Sequence, residues 1–182
     1  GITGTHGKTS TTALLSHIFH FNNVNVSYLY GGITTFNGIG GHYGDPDQPL
    51  ILETDEAFNT FEKIKISDLL VLNVDSDHLD YFKNLDNYKD AFYKVMKNVT
   101  DNLVINNDDL NIKSMKELKN PVSYGKDIAA DFKVQSPGTF LYENNKYEIK
   151  SDIIGDHFKS NMLGAIILAF LNGIEIKDSL NA

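Results

Sequence analysis

Four short stretches of this chain carry residue types whose spacing could do chemistry. The first is "GTHGKTS", which sets Gly4, Thr5, His6, Gly7, Lys8, Thr9 and Ser10 ahead of a run of helical periodicity. Glycines let backbone amides face a phosphate, a lysine reaches the β/γ oxygens, and a Thr or Ser hydroxyl can hold Mg²⁺. The strict form of such a loop has a further Gly five residues before Gly7, where this chain has Ile2. A glycine turn capping a helix, with one chance lysine, is the plainer account. The helix that follows, whose N-terminus favours anions, argues for phosphate.

The second stretch, "LETDEAF", puts Glu53, Asp55 and Glu56 at the C-terminal end of an apolar strand. Ligands of open α/β sheets bind outside those ends, and a carboxylate there can hold Mg²⁺. If the strand persists, Glu53 and Asp55 point one way and Glu56 the other. The third, "NVDSDHLDYF", crowds Asp75, Asp77, His78 and Asp80 behind another apolar strand. A solvated loop explains the acids, but less readily their position at another strand's end. His78 among carboxylates is a candidate for metal or phosphate contact. The fourth, "GDHFKSN", places His157 and Asn161 four apart at the start of a helix, so both share one face. Capping and a half-buried polar contact compete with a binding role there.

These stretches need elements to position them. A helix is expected from Lys8 to about Phe21, and a strand over 24–30. "LILET" (50–54), "DLLVLNV" (68–74) and "NLVIN" (102–106) read as strands covered on both faces, because their apolar runs are nearly continuous. An amphipathic helix is expected over 87–99, and another helix and strand over 108–125. Beyond about Asp127 short alternating strands follow, two of them joined by a hairpin at Asn144-Asn145, and a last helix runs from about Lys159 to Asn172. The sum is an α/β chain: a mostly parallel sheet flanked by helices, with a small antiparallel β appendage. The strand that should lead into the glycine loop is expected ahead of Gly1.

Composition narrows the function. Sixteen basic against 24 acidic residues give a net charge of -8, which disfavours nucleic acid and anionic membranes as partners. Every basic residue is Lys, so no arginine is present to clamp a carboxylate or finish a phosphoryl-transfer site. There is no Cys, which excludes disulfides and thiolate metal sites and fits a reducing cytosol. The longest apolar run, near Gly164, is far short of the roughly 20 residues that span a bilayer.

Taken together and in this order, the four stretches resemble the central ATPase domain of the Mur ligases. The glycine loop is similar to that family's P-loop, which lacks the same first Gly. "NVDSDHLDYF" resembles its Asn-…-Asp-His-…-Asp motif, and "GDHFKSN" its adenine-side motif, with Phe158 standing where the family has its first Asn. The resemblance implies an ATP-dependent cytoplasmic ligase of peptidoglycan precursors, with residues 1–182 as its middle domain and the UDP-sugar and C-terminal domains outside them. Alone, these residues are expected to be inactive. It also implies roles: Gly4, Thr5, His6, Gly7, Lys8, Thr9 and Ser10 on the phosphates, and His157 and Asn161 on the adenine side. Thr9, Glu53 and His78 would hold Mg²⁺, with Lys8 and His78 acting in catalysis.

The loop His6 and "ETDEAF" resemble members that join L-alanine to UDP-N-acetylmuramate through an acyl phosphate. Phe92 stands where later members carry a carbamylated Lys, as it does in those enzymes. A ligase that attaches murein tripeptide to the same sugar, or another ligase of the family, is the alternative. From another class, a nucleotide-binding switch without ligase activity remains.

Overall fold

The computed structural model describes residues 1–33, 38–76, 79–115, 118–153 and 155–182. Its centre is a sheet built from β1 (Ile2–Thr3), β5 (Leu69–Val71), β6 (Leu103–Asn106) and β7 (Val122–Gly125), all parallel. β8 (Phe132–Ser136) joins β7 in parallel, and β9 (Thr139–Tyr142) and β10 (Asn145–Glu148) continue the same sheet antiparallel. A three-stranded sheet of β3 (Gly41–His42), β2 (Ser27–Leu29) and β4 (Leu50–Leu52) lies beside β1. Within it β2 runs parallel to β4 and antiparallel to β3. A single parallel bridge, Ile2 with Glu53, ties the two sheets together.

The strand leading into the glycine loop is therefore within the chain. Two residues suffice, because Ile2 and Thr3 pair with Leu70 and Val71 and are themselves fully buried. The sequence conceals this strand because it has no length over which to alternate.

Apolar runs in the central strands cover both faces, as their composition predicts. Leu70, Leu72 and Val104 pack with α1 (Lys8–Phe21) and α5 (Asp156–Leu171) through Leu15, Ile18, Phe19 and the Leu163–Ala169 segment. Leu69, Val71, Leu103 and Ile105 face the other way, onto α3 (Leu85–Lys97) through Tyr88, Phe92, Val95 and Met96. Fully burying each such side chain stabilises the fold by about 1.5–3 kcal/mol. Helix α3 starts where the Asn84 side chain accepts from the Asn87 amide at 2.8 Å, and it ends with Lys94 and Lys97 in its last turn.

Three shorter elements escaped the periodicity: α2 (Leu79–Phe82), a 3₁₀ turn at Ala57–Lys63, and α6 (Ile176–Asn181), with α4 (Leu110–Ser114) between β6 and β7. The β9–β10 hairpin turns one residue earlier than its Asn pair suggests. Glu143 and Asn144 hold the positive φ angles of 46° and 65°, and Asn145 already pairs with Tyr142. The appendage is an extension of the main sheet through β8, not a separate layer. None of the described helices is long and apolar enough to cross a membrane.

Candidate functional site

The carboxyl ends of β1, β4 and β5 open onto one edge of the molecule, and the first three chemical stretches leave the sheet there. After β1 the chain turns at Gly7, in the left-handed region at φ 87°, and enters α1 with no acidic residue in its first turn. None of the helix's own first-turn residues offsets its positive end. A Cβ on Gly7 would come within 2.3 Å of Asn161 Nδ2, so only glycine lets the Asn161 amide from α5 lie this close to the loop. Asn73, after β5, holds the loop from the other side. Its Oδ1 accepts from the His6 amide at 2.8 Å and its Nδ2 donates to the His6 carbonyl at 2.9 Å.

Thr9 and Glu53 meet directly, the hydroxyl donating to Oε1 at 2.7 Å, while Oε2 accepts from the Gly31 amide at 2.7 Å. A hydroxyl and a carboxylate are hard oxygen donors, and Mg²⁺ is commonly held by one or two carboxylates with phosphate and water completing its shell. The pair fits that cation. Among the described residues no cluster of three or more His, Asp or Glu ligands occurs. Asp55 does not join Glu53, because β4 ends at Leu52 and the alternation stops with it. Its carboxylate instead accepts from the Ala57 amide at 3.0 Å, and the residue is exposed.

Lys8 is not solvated, as a loop lysine would be expected to be. Its ammonium donates to the Gly4 carbonyl at 2.8 Å and to Glu56 Oε1 at 3.1 Å, with Glu56 Oε2 at 2.9 Å. The Glu56 side chain is fully buried and that of Lys8 is 14% exposed. The Tyr88 hydroxyl, from α3, donates to Glu56 Oε1 at 3.2 Å and lies 3.1 Å from the Thr5 hydroxyl. Thr5 Oγ1 in turn accepts from the Asp75 amide at 2.8 Å. A line of hydrogen bonds thus runs from the segment after β5, through the glycine loop, to a buried carboxylate.

On the far side of Asn161, one turn along α5, His157 is exposed and its ring lies 4.4 Å from that of Phe158. It borders a cavity of about 180 Å³ with Asp108, Lys126, Val134, Phe140 and Leu163 in its walls. That is below the roughly 300 Å³ of a pocket for a whole drug-sized ligand, so it has room for part of one.

The Mur ligase middle domain model matches residues 2–169. The chain belongs to the Mur ligase family. UDP-N-acetylmuramate–L-alanine ligase of Clostridium botulinum is 36% identical over 97% of this chain and 41% of its own length. The enzyme of the same name from Hydrogenobaculum is 32% identical over 100% of this chain and 43% of its own. Among solved structures, UDP-N-acetylmuramate-alanine ligase MurC from Thermotoga maritima superposes with a TM-score of 0.82 at 25% identity, over 99% of this chain and 43% of that one. The chain spans about two fifths of the length of the curated relatives it matches. In fold, the L-alanyl-γ-D-glutamyl-meso-diaminopimelate ligase from Neisseria meningitides is also similar, with a TM-score of 0.81 at 21% identity over 100% of this chain and 63% of that one.

Within this Mur ligase domain, Gly4, Thr5, His6, Gly7, Lys8, Thr9 and Asn161 come together around one loop, with Glu53 across from Thr9. Ser10 is exposed beside them, and His157 stands apart at the cavity. His78 lies outside the described residues. Phe92 is fully buried between Phe61 and Tyr88, a core position. From sequence, Glu56 stood only as one of three strand-end acids and Asn73 only as the first residue of the third motif, and Tyr88 was not singled out. Tyr88 sits on the apolar stripe of α3, which marks it as core but says nothing of its hydroxyl.

Proposed function

We propose that this domain binds ATP with Mg²⁺ at the glycine loop and powers the joining of L-alanine to UDP-N-acetylmuramate in the intact protein. The observation that carries the reading is the 2.7 Å Thr9–Glu53 contact at the tip of α1, beside Lys8. It sets a hard-cation pair and an ammonium at one anion-favouring helix end. Backbone amides of Gly7 to Ser10 would orient the phosphates, and Lys8 would meet the oxygens that gain charge as the γ-phosphoryl departs. Thr9 and Glu53 would hold the metal, which when bound supplies charge neutralisation on those oxygens. His78 is assigned to a second metal contact or to the acyl-phosphate region. Asn161 would meet the nucleotide beside Gly7, and the His157 cavity would take the adenine, with Phe158 in place of a family hydrogen-bonding Asn. L-alanine is favoured as the amine by the L-alanine ligases at 32% and 36% identity.

The test gives the intact protein ATP, Mg²⁺ and UDP-N-acetylmuramate with L-alanine, other amino acids or murein tripeptide. Phosphate release and the mass of the product are read together. An L-alanine amide formed with ADP is the expected result. Product with tripeptide alone would reassign the amine, and nucleotide binding without any product would make the domain a switch.

A further inference from the structure

The Lys8 ammonium donates to Gly4 O at 2.8 Å and to Glu56 Oε1 at 3.1 Å, and Glu56 Oε2 lies 2.9 Å away as an ion-pair contact rather than a hydrogen bond. A phosphate that reaches Lys8 must compete with this buried carboxylate for the ammonium. We propose that Glu56 is a positioning residue that holds Lys8 in the phosphate's absence, so that nucleotide must take the ammonium over from a buried carboxylate. This inference rests on the reading of the glycine loop as an ATP site.

Glu56 cannot easily swing aside, because its side chain is fully buried and Tyr88 donates to Oε1 at 3.2 Å. Nucleotide therefore competes with Glu56 for Lys8 and brings a polyanion beside its buried charge. Both effects weaken ground-state binding. They also make the site discriminating: a ligand must bring enough charge to outcompete a carboxylate, which a triphosphate does better than a monophosphate. The Tyr88 hydroxyl has the opposite influence on the contest. By donating to Glu56 it spreads the carboxylate's charge and loosens its hold on Lys8.

The two side chains thus make opposite predictions, although each substitution removes one group from the same buried network. A merely structural role would move both in one direction. The experiment measures dissociation constants of the intact protein for ATP and for inorganic tripolyphosphate by calorimetry, in wild type, Glu56→Gln and Tyr88→Phe. Glu56→Gln should bind both ligands about 5–10-fold more tightly, and Tyr88→Phe about 2–5-fold more weakly. Glu56→Asp, which restores the charge, should return affinity to within about threefold of wild type. Tyr88→Phe alone decides the matter if Glu56→Gln fails to fold, since it leaves the aromatic packing intact. Unchanged or weaker binding in folded Glu56→Gln, or tighter binding in Tyr88→Phe, overturns the inference while leaving the ATP site standing. A wild-type protein that binds neither ligand overturns both.

Discussion

Removing Lys8 tests the geometry of the loop through stability rather than activity. In Lys8→Ala the fully buried Glu56 carboxylate keeps its Tyr88 hydrogen bond but loses its cation. Breaking a buried pair from one side costs about 3–5 kcal/mol. Lys8→Ala should therefore lose about 3–5 kcal/mol of stability at pH 7. The double substitution Lys8→Ala/Glu56→Gln removes both charges and should recover most of the loss. Urea unfolding of the three proteins at pH 7 provides the measurement. A single variant within about 0.5 kcal/mol of wild type, or a double variant no more stable than the single one, would refute the buried pair.

Two further outcomes follow from the same edge. Glu53→Gln keeps the shape but turns an amide toward Thr9 or the Gly31 amide, and phosphate release by the intact protein should fall at least about 10²-fold at saturating Mg²⁺. Turnover within twofold of wild type would leave Glu53 a loop-holding residue only. Gly7→Ala forces a Cβ to within 2.3 Å of Asn161 Nδ2 at a φ of 87°, so a thermal melt should report a loss of about 1–3 kcal/mol. Full stability together with full nucleotide affinity would mean the loop tolerates a side chain there.

What the sequence exposed was whatever repeats locally. Helix α1 begins and ends where its apolar spacing says, at Lys8 and Phe21, and Leu69–Val71 lies inside the expected 68–74 strand. Strand ends were overdrawn, because burial continues past the strand itself: Leu72 and Val74 are buried outside β5. The short β1 and the 3₁₀ turn at Ala57 carry no period to read. At the site, the types of Lys8, Thr9 and Glu53 announced a phosphate loop and a cation ligand. Which oxygen each one touches was not legible, since those contacts join positions 44 and 48 residues apart.

Glu56 shows why charge is harder to place than apolarity. A leucine in a strand is buried by its own periodicity, whereas a glutamate is buried only where a partner makes burial tolerable. For Glu56 the partners include Lys8 from the glycine loop and Tyr88 from α3, brought together by the alignment of β1, β4 and β5. In sequence it is one of three acids in a turn, and the neighbouring Asp55 is exposed. The difference between them is one of direction. With β4 finished at Leu52, the next residues no longer alternate, and the chain enters the Ala57–Lys63 turn with Glu56 facing inward. The three acids therefore do different jobs at adjacent positions: Glu53 faces Thr9, Asp55 caps the turn, and Glu56 neutralises the loop lysine. Held against a carboxylate of the same chain, the loop lysine forms a pair with no net charge. That is a consistent arrangement for a chain whose first 60 residues contain one lysine and no arginine.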